Sequence, residues 1–284
     1  MRNSRTTAIA ILTCFLGIAP VAAEPIAPGT GQQTVDVSGT RIAVVTYRPT
    51  GCSDPALLMV FHGISRDARS YRDDARALAD RNCLLVVAPK FDQHAFPTWR
   101  YQRGGIVKDG VVQNPRDWTG RLVLDLVDWV RKQEERPLPY SLIAHSAGAQ
   151  FLDRLAAFVP TQARRLVVAN SGSYVFPSLE IDAPYGLGKV YAVAEGEAQL
   201  RRYLAQPLTI YLGEGDTRDD DHNPDALTQG KSRYVRGLNT FNAAKTLAQD
   251  RGWAFNWRLV ELPGVGHNAQ KMFAAPLASE ALSP

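Results

Sequence analysis

No stretch of the chain is apolar for the roughly 20 residues that a membrane-spanning helix needs. The longest apolar stretch, Ala8–Ala19, falls well short of that and lies at the N-terminus. Cysteine is scarce, three residues in 284, and no histidine or further cysteine is spaced to join Cys52 or Cys83 as a metal ligand. An excess of one charge is missing too: 32 Lys and Arg are interspersed with 28 Asp and Glu, for a formal charge of +4. So even a balance supplies no basic stripe, and nucleic acid is not an expected partner. The acidic run Asp216–Asp225 lacks the glycine spacing of a calcium loop, so no metal is expected there. No internal repeat, low-complexity tract or Pro-rich linker divides the chain, whose length suits one large domain.

What is present begins with a secretory signal. Arg2 and Arg5 form a basic leader, Ala8–Ala19 is its apolar core, and Val21-Ala22-Ala23 offers the small residues that a signal peptidase reads. Cleavage is expected after Ala23, leaving residues 24–284 as a secreted or periplasmic domain without stable membrane insertion. An uncleaved anchor, or a lipoprotein attached at Cys14, fits less well, because the apolar run is short and Thr13 is a poor small residue for lipidation. Export leaves Cys52 and Cys83, and an even pair in an oxidising compartment is most simply a disulfide. Each stands just before a short apolar run. If those runs are adjacent parallel strands, both sulfurs lie at the same edge of a sheet.

Short apolar runs bounded by turn residues alternate with segments of helical period, the pattern of a mostly parallel sheet with helices on both faces. The expected strands are Ile42–Tyr47, Leu57–Phe61, Leu84–Ala88, Ser141–Ala144, Leu166–Ala169, Leu208–Leu212 and Trp257–Leu262. Asp117–Lys132 carries Leu122, Leu126, Trp129 and Val130 on one helical stripe, and Gln150–Phe158 and Asn239–Asp250 read as helices too. Residues 171–206, rich in Tyr, Gly and Pro, break the alternation. Two readings of that segment stay open: a small cap over a site, or a surface excursion with one helix near Ala198–Tyr203.

The strongest chemical signal is Ala144-His145-Ser146-Ala147-Gly148, an apolar strand running through a small-residue turn into a helix. Such an elbow lifts a serine hydroxyl above the sheet, and the residues two before and two after it must be small. Upstream, Leu57–Phe61 ends in His62-Gly63-Ile64. A turn there aims backbone N–H groups at the edge where the serine emerges, so the N–H groups of Ile64 and Ala147 are the expected oxyanion hole. His62 then braces the turn. The acid and the base should follow the serine in that order. Gly213-Glu214-Gly215-Asp216 ends one later strand and Pro263-Gly264-Val265-Gly266-His267 ends another. Ser146 as nucleophile, His267 as general base and Asp216 as its carboxylate partner form the expected triad. Asp219, Asp220 and Asp221 crowd the same loop and remain alternatives for the acid. Tyr174 and Phe176, with Tyr185, Trp99 and Tyr101, are candidates for an aromatic substrate wall, although loop aromatics also serve as ordinary packing.

Together the motifs Phe61-His62-Gly63, Ala144-His145-Ser146-Ala147-Gly148, Gly213-Glu214-Gly215-Asp216 and Pro263-Gly264-Val265-Gly266-His267 resemble those of the α/β-hydrolase superfamily, across nearly all of residues 24–284. Within it the chain is similar to secreted bacterial esterases of the polyhydroxybutyrate-depolymerase and feruloyl-esterase kind. The resemblance implies an eight-stranded, mostly parallel sheet, no cofactor, and a small-molecule or polymeric ester as substrate. One departure is Ala144, where the commonest elbow has glycine. Dehalogenation or epoxide opening would need a carboxylate at position 146, which is absent. A peptidase or amidase on the same triad, or a non-catalytic binding protein on the same fold, remains open.

Overall fold

In the computed structural model, which describes residues 24–218 and 223–283, the expected strands all form. The elements run β1 (Gly29–Val37), β2 (Thr40–Arg48), β3 (Ala56–Phe61), α1 (Ala68–Asp74), α2 (Arg76–Asn82), β4 (Leu84–Lys90), β5 (Val107–Lys108), β6 (Val111–Val112) and α3 (Thr119–Gln133). The chain continues through β7 (Tyr140–His145), α4 (Ala147–Phe158), β8 (Leu166–Ala169), α5 (Val193–Leu204), β9 (Leu208–Gly213), α6 (Pro224–Leu227), α7 (Arg233–Arg251), β10 (Arg258–Leu262), α8 (Ala269–Ala274) and α9 (Leu277–Leu282). Eight strands make one sheet in the order β1-β2-β4-β3-β7-β8-β9-β10, while β5 and β6 form a separate hairpin. From β4 to β10 every pairing is parallel, and β1–β2 and β2–β4 are antiparallel.

The central strands are continuous apolar runs because helices cover both faces of the sheet. Along β3, Leu57, Met59 and Phe61 enter one core and Leu58 and Val60 the other. The first core is closed by α3, α4, α5 and α7, through side chains such as Leu126, Phe151, Leu200 and Ala244. The second is closed by α1, α2, α8 and α9, through Ala75, Leu78, Met272, Phe273 and Ala281. Among the described residues no helix is long and apolar enough to cross a membrane.

β1 was not among the expected strands. It is an edge strand whose sequence, GTGQQTVDV, buries only Val35 and Val37, so no apolar run marks it. A two-residue turn at Ser38 and Gly39, both with positive φ, folds it onto β2.

Cys52 and Cys83 form a disulfide with their α-carbons 5.4 Å apart, at the amino ends of the adjacent parallel strands β3 and β4. A crosslink between residues 31 positions apart in sequence contributes ~3–4 kcal/mol in the chain-entropy account.

Residues 171–206 contain one helix, α5, preceded by a loop fastened to α4. Buried Asp153 accepts hydrogen bonds from the Val175 N–H and, at 2.7 Å, from the Tyr203 hydroxyl. Buried Arg154 donates to the carbonyls of Ser173 at 2.8 Å and Pro184 at 3.1 Å. Through these bonds two charged side chains of α4 satisfy backbone groups that an irregular loop otherwise leaves unpaired.

Candidate active site

Connections that leave the carboxyl ends of parallel strands gather along one edge of the sheet. The sharpest is at Ser146, between β7 and α4, with φ 60° and ψ −121°. That conformation costs a residue with a β-carbon ~1–3 kcal/mol and persists only where surrounding structure enforces it. Here the enforcement comes from both neighbouring strands. The Ser146 N–H donates to the Ala169 carbonyl at the end of β8, at 3.0 Å. On the other side Ala144 pairs with Phe61 of β3, and a β-carbon on Gly148 would lie 2.6 Å from the His62 carbonyl oxygen. Residue 148 therefore has no room for a side chain.

His267 Nε2 lies 2.9 Å from Ser146 Oγ, and His267 Nδ1 lies 2.7 Å from Asp216 Oδ2. An ionised carboxylate only accepts hydrogen bonds, so with Asp216 charged the imidazole carries its proton on Nδ1, and Nε2 is left to accept from the serine hydroxyl. Asp216 is almost wholly buried, and its other oxygen faces Arg233 Nη1 at 3.6 Å. The turns holding acid and base touch backbone to backbone. The Glu214 N–H donates to Leu262 O at 3.1 Å, and the Gly215 N–H to Val265 O at 2.9 Å. A β-carbon on Gly213 would collide with the Val265 carbonyl. Glycine in the acid turn is what lets the two loops approach. Asp219, Asp220 and Asp221 lie outside the described residues.

Ile64 stands on the turn after β3 and is 71% exposed, and Ala147 is the buried first residue of α4. Among the described residues neither backbone N–H has a hydrogen-bond acceptor. His62 braces this turn: Nδ1 donates to Gly63 O at 3.0 Å while Nε2 accepts from the Phe91 N–H at 3.0 Å. The Tyr101 hydroxyl holds the His62 carbonyl at 2.7 Å.

Three residues near the triad had no role in the sequence reading. The His145 ring packs against that of His267, centroids 4.4 Å apart, and its Nδ1 lies 3.3 Å from the Tyr71 hydroxyl. That hydroxyl also crowds Gly63, where a β-carbon would collide with it. The third is Asn170, the residue after β8, whose side chain reaches both loops. His145 was visible inside the serine motif, but Tyr71 and Asn170 carry no local signal.

The expected aromatic wall is corrected in part. Tyr174 is wholly buried, because Gln229 pairs with both of its backbone groups, at 2.9 and 2.8 Å, and draws it into the core. Tyr101 is equally buried, and Tyr185 nearly so. Phe176 and Trp99 are half-buried and keep surface to present.

Burial holds two imidazoles neutral. It pushes His62 down to about 4 and His145 well below its ordinary value, where the charges of His267 and Arg233 act in the same direction. In the unfolded chain both take up protons near pH 6.5, whereas the folded chain refuses them until much lower pH. Stability should therefore be full above pH 6.5 and fall as pH drops below it, the His62 contribution being lost toward about 4 and the His145 contribution falling in the same direction, at up to ~1.4 kcal/mol per pH unit for each group. Urea midpoints measured between pH 7 and 4.5 should fall across that window. A flat profile would contradict neutral burial.

No protein-family model matches the chain, and no curated protein sequence does. Solved structures do. The chain is similar to LpqC, a poly(3-hydroxybutyrate) depolymerase from Bordetella parapertussis, at 32% identity over 91% of this chain and 92% of that one, with a TM-score of 0.83. It is similar to poly(aspartic acid) hydrolase-1 from Sphingomonas sp. KT-1 at 31% identity, over 90% of this chain and 99% of that one, with a TM-score of 0.82. Mycobacterium tuberculosis MPT51, at 16% identity over 90% and 97% of the two chains and a TM-score of 0.55, shares the fold alone. With its eight-stranded sheet, its serine elbow and two relatives above 30% identity along nearly their whole length, the chain belongs to the α/β-hydrolase superfamily, among the hydrolases of the polyhydroxybutyrate-depolymerase kind.

Proposed function

We propose that the protein is an exported serine hydrolase of carboxylic esters, acting through an acyl-enzyme on Ser146. One observation carries the reading: the continuous hydrogen-bonded line from Asp216 through His267 to Ser146, at 2.7 and 2.9 Å, on an elbow whose backbone is held in a costly conformation.

The Ser146 hydroxyl passes its proton to His267 Nε2 as Oγ bonds to the ester carbonyl carbon. Negative charge then develops on the carbonyl oxygen, where the Ile64 and Ala147 N–H groups receive it, each worth ~3–4 kcal/mol in the transition state. Ala147 opens α4, so the positive end of the helix dipole favours the same oxygen. Collapse of the adduct expels the alcohol, which takes its proton from His267. Water then attacks the acyl-serine by the same steps, with His267 accepting its proton. Asp216 fixes the tautomer and stabilises the imidazolium. The chemistry needs no cofactor. Phe176 is the residue of the aromatic set proposed to touch substrate.

Export rests on residues 1–23, which have the layout of a signal peptide and lie outside the described residues, and on a disulfide of the kind that persists in oxidising compartments. An amidase is the second reading. It is favoured by the likeness to poly(aspartic acid) hydrolase-1, since poly(aspartic acid) is joined by amide bonds. A fluorogenic short-chain ester assayed beside its amide analogue separates the two: the ester should turn over and the amide should not. Turnover of the amide as well would favour the amidase, since the same triad takes an ester faster in either case, and turnover of neither would leave a binding protein.

A further inference from the structure

Asn170 stands one residue beyond β8, between the strand that delivers Ser146 and the strand that leads to Asp216. It is wholly buried and has φ 45°, in the left-handed region that asparagine tolerates better than most residues. Its backbone N–H donates to Tyr211 O at 3.1 Å. Its side-chain Oδ1 accepts from the Gly213 N–H at 2.8 Å, and its Nδ2 donates to Gly266 O at 3.2 Å. Gly213 opens the turn that ends at Asp216, and Gly266 directly precedes His267. One buried amide therefore joins the acid turn to the base turn.

The need for such a joint follows from what the turns are made of. Gly213, Gly215 and Gly266 bring backbone against backbone, so the turns meet without interlocking side chains at those positions, through the Glu214 and Gly215 N–H bonds to Leu262 O and Val265 O. An amide group offers a donor and an acceptor at a fixed separation and so adds a side-chain tie from Gly213 to Gly266, the residue beside His267. Aspartate offers two acceptors, leucine neither function, and glutamine places its amide one methylene further out.

We propose that Asn170 is a positioning residue of the triad: by holding Gly213 and Gly266 it sets the Asp216–His267 hydrogen bond and the aim of Nε2 at Ser146. It touches no substrate. The inference rests on the triad assigned above. Misplacement of a catalytic group by about 1 Å costs on the order of 10²-fold in rate, so loss of the amide should lower kcat and spare KM.

Two variants test this in the full-length mature protein, with rates expressed per folded molecule. Asn170→Gly accepts the left-handed backbone and removes the amide together with its β-carbon; kcat is expected to fall ~10- to 100-fold with KM within about twofold. Asn170→Asp keeps the acceptor for Gly213 but sets a carboxylate beside the histidine loop. The added negative charge favours the imidazolium, so the acidic limb of the kcat/KM profile should move to higher pH. A merely structural residue would lower the thermal midpoint and leave kcat per folded molecule unchanged. Asn170→Gly with kcat within twofold of wild type overturns the proposal; if Asn170→Gly fails to fold, the plateau kcat of Asn170→Asp, which lacks the Nδ2 donor to Gly266 O, decides in its place, a value within twofold of wild type overturning the proposal. Fluorophosphonate labelling of Ser146 in the wild-type enzyme keeps the cases apart, because its absence would sink the triad itself.

Discussion

Replacing Ser146 with alanine is expected to leave a folded protein whose ester turnover is lower by roughly 10⁴-fold or more. The fold should survive because alanine keeps the β-carbon that Ser146 already carries at φ 60°, so the substitution adds no backbone strain. What disappears is the oxygen 2.9 Å from His267 Nε2. His267, Asp216 and the two N–H groups stay in place, and the residual rate should be the contribution of binding and the oxyanion hole alone. A triad acts as a unit, which is why removing one atom costs nearly as much as removing the whole arrangement. Turnover of the alanine variant near the wild-type rate, with a native thermal midpoint, would show that another group attacks.

Asp216→Asn should slow turnover by up to about 10⁴-fold, through a different failure. An amide at 216 offers its NH₂ or its oxygen to His267 Nδ1, and when the NH₂ faces the ring the imidazole must carry its proton on Nε2, toward the serine. That tautomer accepts nothing from Ser146. The substitution also removes the charge opposite Arg233, 3.6 Å away, so the thermal midpoint has to be followed beside the rate. Asn at 219, 220 or 221 should cost far less, since Asp216 directly follows the glycine turn that packs on the histidine loop. Comparing the four single variants separates the candidates. A large loss at one of the later positions, with Asp216→Asn near normal, would move the acid along the loop and leave the rest of the mechanism standing.

How much of this was legible in the chain depended on how local each signal was. Strands such as Leu166–Ala169 announce themselves because both faces are buried and every residue is apolar. β1 does not, since an edge strand exposed to solvent keeps a polar sequence. The short helices α1, α2, α8 and α9 were also missed; at six or seven residues they complete fewer than two turns and show no period. Ser146, Asp216 and His267 stood out because each follows an apolar run and a small-residue turn. Asn170 could not stand out, for its partners are 43 and 96 residues away and only folding brings them together. Tyr174 shows the reverse error, since an aromatic residue in a loop reads alike whether it lines a cleft or, held by Gln229 55 residues on, fills the core.

The central claim is that Ser146 is the nucleophile, and covalent labelling tests it most directly. Mature protein is treated with a fluorophosphonate, its intact mass is measured, and the adduct is mapped by peptide mass spectrometry while ester hydrolysis is followed in the same sample. One adduct per chain is predicted, on the peptide containing Ser146, accumulating in step with loss of activity and absent from Ser146→Ala. An adduct on a different residue, or full hydrolytic activity in a protein that takes up no label, would contradict the account.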